Sequence, residues 1–172
     1  MKVLPATRHF DTTQHRPIIK STRNPLELYK MMKMYTTERK ERFPYLKAFF
    51  NCIDSMAFNC KMRVIKDEFG NLLAGYTYRL RKNRLEQKSM YIDALVRNRQ
   101  NTASKGVMKS LYQDMKNIAE SKKAEELTLF SVAKEKDLRK NYESLGFRKD
   151  ESVDITGAYV MRAKIWEFLS KK

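Results

Sequence analysis

Three strand-like segments follow one another between Lys61 and Val96, and the turns joining them are too short for a crossover. Residues 61–66 and 72–81 flank Asp67-Glu68-Phe69-Gly70-Asn71, where glycine supplies the positive φ of a hairpin turn. In the second segment Leu72, Ala74, Tyr76, Tyr78 and Leu80 alternate with Leu73, Gly75, Thr77 and Arg79. A polar turn over 82–88 leads to a third strand at 90–96. Antiparallel neighbours joined this way form a meander, a sheet whose apolar face needs another layer to cover it.

The flanking segments supply that layer. Pro17-Ile18-Ile19 predicts a strand over 16–20, and Asn24-Pro25 reads as a helix N-cap followed by proline at the first helical position. Leu26, Tyr29, Met32 and Met34 follow at helical spacing. A second helix is expected over 38–56, with Phe43, Leu46, Phe49, Phe50 and Ile53 on one face and Pro44 as an alternative start. After the meander come a helix over 104–121, a strand over 127–132, a helix over 134–145 and closing strands at 147–149 and 158–162. The ending, 164–172, places Ile165, Trp166 and Leu169 to dock on the core. A meander followed by a strand–helix–strand crossover predicts an α/β (α+β) fold. Its sheet is mixed, mostly antiparallel, of six to seven strands, and flanked by helices. No internal repeat is visible, so 1–172 reads as a single domain.

Composition removes several function classes. Hydrophobic residues make up 42% of the 172, which argues for a packed core. His9 and His15 are the only histidines, too few for a zinc site or a Ser-His-Asp triad, so no metal is expected. Cys52 and Cys60 lie among apolar neighbours and read as buried free thiols. Residues 1–10 carry no apolar run of signal-peptide length, and no later stretch approaches membrane-spanning length. The expectation is a cytoplasmic protein with no membrane partner. The net charge of +16 attracts polyanions and acidic small molecules, which leaves nucleic acid open as a partner; a solvated, lysine-rich surface explains it equally.

Near the C-terminal end the chain reads Asn141-Tyr142-Glu143-Ser144-Leu145-Gly146-Phe147. Gly146 ends a helix in a left-handed turn, and Phe147 is the apolar anchor that follows. This Tyr-x-x-Leu-Gly-Phe segment resembles the one that closes the acyl-CoA-binding core of the GNAT superfamily of N-acyltransferases. The element order, which is independent of that motif, resembles the GNAT fold over essentially the whole chain. The resemblance implies an acyl-CoA-dependent N-acetyltransferase that uses acetyl-CoA as co-substrate. Tyr142 would be the general acid that protonates the leaving thiolate. A tyrosine packed beneath the closing strands is the structural alternative.

Residues 105–111 open the central helix, and the free N–H groups of a helix start form an anion site. In the family a loop of the form Arg/Gln-x-x-Gly-x-Gly/Ala wraps the coenzyme pyrophosphate there. Gly106 matches its first glycine, Ala103 stands where Arg or Gln is expected, and Met108 replaces the second small residue. The resemblance thus assigns Ala103, Ser104, Lys105, Gly106, Val107, Met108 and Lys109 to the coenzyme. Arg97, Arg99, Gln100 or Lys105 would replace the missing donor. The alternative is an ordinary helix start capped by Thr102 or Ser104, with Val107, Leu111, Met115 and Ile118 as its core stripe. The family's Asn seven residues before the Tyr is Glu135 here.

Tyr91 to Val96 resembles the family strand that pairs its backbone with the pantetheine arm, offering Leu95, Val96 and Arg97. Period two places Tyr91, Asp93 and Leu95 on one face and Ile92, Ala94 and Val96 on the other. A carboxylate in mid-strand is costly unless paired or functional. Asp93 is therefore a candidate base for the attacking amine, or half of a salt bridge with Arg79 or Lys88. The acceptor amine is not specified by any motif; the charge favours an acidic or RNA-linked one. A catalytically inactive GNAT-like module that binds nucleic acid or a protein partner is the alternative function. The chain is expected as a monomer or homodimer.

Overall fold

A computed structural model of the chain describes residues 18–82, 86–132, 136–151 and 158–170. Its strands are β1 (Ile19–Thr22), β2 (Lys61–Lys66), β3 (Leu72–Lys82), β4 (Lys88–Arg97), β5 (Glu126–Val132), β6 (Arg148–Lys149) and β7 (Ala158–Lys164). Its helices are α1 (Pro25–Glu38), α2 (Pro44–Ala57), α3 (Val107–Ser121) and α4 (Lys136–Ser144). The strands form one seven-stranded sheet in the order β1–β2–β3–β4–β5–β7–β6. Only β4 and β5 run parallel. This is the mixed, mostly antiparallel sheet that the meander and crossover predict.

Local chemistry sets the boundaries. Asn24 caps α1, its side chain accepting from Leu26 N at 2.9 Å, and Pro25 occupies the first helical position. The helix expected over 38–56 begins instead at Pro44, because α1 continues to Glu38 and Lys40 turns the chain at positive φ. The Thr36 hydroxyl ties the two helices together, donating to Pro44 O at 2.8 Å. The first strand starts three residues later and ends two later than expected, and 16–17 fall outside the described residues, as do His9, His15 and Glu135.

Two apolar layers sandwich the sheet. One packs Leu111 and Met115 of α3 and Tyr142 of α4 against Tyr76, Met90, Leu127 and Met161. The other packs Leu28, Met31 and Met32 of α1, with Ala48 and Cys52 of α2, against Met62, Val64, Ala94 and Val96. In the ending, Ile165 and Phe168 enter the first layer, while Trp166 stays exposed, contrary to expectation. On α2, Leu46, Phe49, Phe50 and Ile53 share one face as the spacing predicts, but that face is exposed, and the small Ala48, Cys52 and Ser55 face inward.

A polar tie crosses the first layer. Asp114 on α3 accepts from Arg63 Nε at 3.0 Å, from Arg63 Nη2 at 2.6 Å and from the Tyr76 hydroxyl at 2.7 Å. The carboxylate joins β2 and β3 to the central helix. Burial and this neighbour together push the Tyr76 phenol far above its ordinary value.

Candidate active site

β4 carries a bulge at the residue singled out for chemistry. Thr77 faces Ala94 and Tyr78 faces Ile92, so Asp93 is the extra residue of the ladder. The insertion shifts the side-chain alternation, which corrects the period-two expectation. Met90 and Ile92 enter the α3 layer, but Ala94 and Val96 enter the α1–α2 layer, and Leu95 takes the α3 side.

The parallel ladder between β4 and β5 ends at the same place. It runs from Ser89 opposite Glu126 to Ile92 opposite Leu129 and goes no further. Beyond it β4 stays paired to β3 as far as Arg97, and β5 stays paired to β7 as far as Val132. Each strand is held by its outer neighbour, so the pair splays and leaves one backbone edge of Asp93–Arg97 without a strand partner. A bulge that increases twist at that point is consistent with the divergence.

A cleft of about 860 Å³ fills the splay. Its walls include Asp93, Leu95, Val96 and Arg97 from β4, Met108 and Tyr112 from α3, and Asn141 and Tyr142 from α4. Arg39 and Arg99 add positive charge. Tyr142 is buried, its ring meeting Phe147 edge-on with centroids 5.9 Å apart, and Phe147 meets Phe168 in the same way. Tyr142 therefore belongs to the core and also lines the cleft. Tyr112 and Asn141 went unnoticed in the sequence. The Asn141 amide donates to the Tyr112 hydroxyl at 3.4 Å, and burial raises the Tyr112 phenol. Asn141 directly precedes Tyr142 on α4, and Tyr112 has no sequence signal beyond its place on α3.

The start of α3 differs from expectation. The helix begins at Val107, and its N-cap is Gly106 in the left-handed region at φ 81°, with no side-chain cap bond. The Ser104 hydroxyl donates to Asn98 O at 2.6 Å, within a single 3-10 turn at Thr102–Ser104 capped by Asn101. Neither Thr102 nor Ser104 caps α3. Val107 and Ser104 are buried, and Ala103, Lys105, Gly106 and Lys109 are not among the residues lining the cleft. Of the proposed coenzyme residues, the cleft gathers Leu95, Val96, Arg97 and Met108. Gln100 faces a third cavity beside α1.

Asp93 sits where the cleft meets a smaller cavity of about 360 Å³ on the α1–α2 side of the sheet. Arg79 Nη2 approaches its carboxylate at 2.7 Å, and the Cys60 thiol donates to it at 3.4 Å. The salt bridge forms with Arg79, not Lys88. Burial raises the Asp93 carboxyl, with Arg79 as the strongest opposing influence. Burial and the Asp93 charge push the Cys60 thiol up to about 11, so at neutral pH it is a protonated donor and not a nucleophile. The smaller cavity is also lined by Glu41, Asp54, Arg39 and Lys47.

Among the described residues no cluster of His, Cys, Asp or Glu could hold a metal ion, and no helix is long and apolar enough to cross a membrane.

No protein-family model matches the sequence, and none of the curated proteins matches it. Solved structures do match. A GNAT-family acetyltransferase from Listeria monocytogenes superposes with a TM-score of 0.62 at 12% identity, covering 85% of this chain and 94% of its own. The PaiA N-acetyltransferase from Thermoplasma acidophilum, in complex with coenzyme A, gives 0.59 at 14% identity over 86% and 99%. A chain of the NatC complex, bound to Gag peptide and CoA, gives 0.59 at 15% identity over 85% and 98%. The fold is the GNAT fold.

Proposed function

We propose that this chain is an acetyl-CoA-dependent N-acetyltransferase acting by direct transfer. The observation that carries the reading is the splay of β4 from β5. It opens a backbone edge without a strand partner onto a cleft that Met108 of α3 and the buried Tyr142 also line. Several solved structures with this fold are N-acetyltransferases, two of them bound to CoA.

In this reading the pantetheine arm pairs with the open edge at Leu95, Val96 and Arg97. The pyrophosphate meets the N–H groups at Gly106, Val107 and Met108, with Arg97 and Arg99 supplying the charge that Ala103 does not. The acceptor amine enters from the smaller cavity. Its nitrogen attacks the thioester carbonyl, a backbone N–H near Leu95 or Val96 holds the oxyanion, and Asp93 takes the amine proton directly or through water. The C–S bond then breaks, and the thiolate takes its proton from Tyr142.

The acceptor's nature follows from charge on two scales. The +16 field draws an acidic or RNA-linked carrier toward the protein. Glu41, Asp54 and Asp93 give the amine itself local carboxylates. Arg79 Nε is buried with no partner among the described residues, which suits an acceptor carrying an oxygen next to its amine.

Thermal unfolding with and without acetyl-CoA at about 150 mM salt tests the reading, because that ionic strength screens surface charge. A ligand bound only to the native state adds ~2.7 kcal/mol at a hundredfold excess over its Kd. A clear rise in Tm that ATP does not reproduce supports it. No rise at millimolar coenzyme rejects it.

A further inference from the structure

The outward face of α2 is apolar along its whole length. Leu46, Phe49, Phe50, Ile53 and Met56 follow helical spacing and are 56%, 52%, 55%, 46% and 55% exposed. At half exposure such side chains present roughly 100 Å² each, about 500 Å² in all, near the upper end of what a monomer leaves open. A helix that buries Ala48, Cys52 and Ser55 and shows its aromatics to water has its preferred contact surface facing outward.

The pattern on this face is self-complementary. Reflected through Asn51, Leu46 falls on Met56 and Phe49 falls on Ile53. A charged flank runs alongside the stripe. At 100° per residue Lys47 and Asp54 lie on nearly the same line of the helix, either side of that centre. In an antiparallel pair related by a two-fold axis, the same flank of each helix meets its copy in reverse order. Lys47 of one protomer then stands opposite Asp54 of the other, twice. We propose that the chain self-associates through α2, as an antiparallel two-fold helix pair centred near Asn51.

Roughly 500 Å² from each side gives about 1,000 Å², the lower bound for a specific interface, before flanking residues such as Phe43 are counted. The flank carrying Lys47 and Asp54 also lines the smaller cavity beside Asp93, so the second protomer stands at that cavity's rim. Lys47 already pairs with Glu41 at 2.9 Å, and reaching across the interface adds a second carboxylate to the same ammonium. With +16 on each protomer, apolar contact must overcome general repulsion, so association should tighten as salt rises.

Sedimentation velocity of the full chain across micromolar concentrations, at low and high salt, tests the proposal. A concentration-dependent dimer that strengthens with salt is expected, and Phe50→Glu should leave a monomer of unchanged Tm. Charge reversal fixes the geometry. Lys47→Asp should weaken the dimer roughly tenfold or more, and the Lys47→Asp/Asp54→Lys double variant should restore it. The double variant keeps the test decisive even if Phe50→Glu does not fold. A chain that stays monomeric under all these conditions overturns the proposal and leaves the face to a different protein. So does a dimer indifferent to Phe50→Glu, or one that the double variant fails to restore.

Discussion

Arg79 Nη2 lies 2.7 Å from Asp93 Oδ1, so the carboxylate proposed to take the amine proton is already held by a guanidinium. Burial raises this carboxyl, and Arg79 opposes that rise. The balance decides the pH at which Asp93 can accept a proton. A base must be ionised, so activity is present above its folded pKa and lost as pH falls through it.

Arg79→Gln removes the opposing influence, and Asp93 should titrate higher still. The acid limb of kcat/KM for acetyl transfer should move to higher pH, while Arg79→Lys should move it less. Asp93→Asn should lower kcat by ~10²-fold or more and abolish the limb. A limb that stays in place in all three variants would assign the proton to another group.

Tyr142→Phe keeps the ring on Phe147 and removes only the hydroxyl. The expected result is a fall of ~10²-fold in kcat with the acetyl-CoA-induced rise in Tm retained. Loss of the thermal rise along with kcat would instead make the hydroxyl part of coenzyme binding.

Asp114→Ala strips Arg63 and Tyr76 of their shared acceptor. Removing one side of such a partly buried ion pair costs about 3 kcal/mol or more, measurable by urea denaturation. Asp114→Asn keeps one acceptor oxygen and should lose less.

Two glycines of positive φ should respond differently to alanine. Gly106, at φ 81°, has open space where a Cβ would sit, so Gly106→Ala should cost only conformational strain, about 1–2 kcal/mol. At Gly146, at φ 100°, the new Cβ would lie 2.5 Å from the Glu167 carbonyl oxygen. Gly146→Ala should therefore cost roughly 3 kcal/mol or more, because backbone cannot move aside as a side chain can. Denaturation midpoints of the two variants make the comparison.

The element order was legible because local patterns carry it. Alternation from Leu72 to Arg81, the Asp67–Asn71 turn and the cap at Asn24 each act over a few residues. Other features depend on partners far along the chain. Nothing in Tyr91 to Val96 announces an unpaired residue at Asp93, since a bulge is a mismatch between two strands and not a property of one. The outward turn of Phe49 and Phe50 was equally hidden, because an apolar stripe shows that a helix has a preferred face and not what covers it. At the site, Tyr142 stood out by motif, but Tyr112 and Asn141 reach the cleft only through the packing of α3 against α4.

The bulge gives β4 two reading frames. Up to Ile92 the even-numbered residues belong to the layer under α3; from Ala94 onward they belong to the opposite layer, under α1 and α2. A saturation scan along this strand should therefore show its tolerance rhythm skip a beat at Asp93. Deleting that single residue would regularise the ladder and leave Ala94, Leu95 and Val96 on their present sides, whereas drawing Asp93 into the pairing would address everything downstream to the wrong side of the protein.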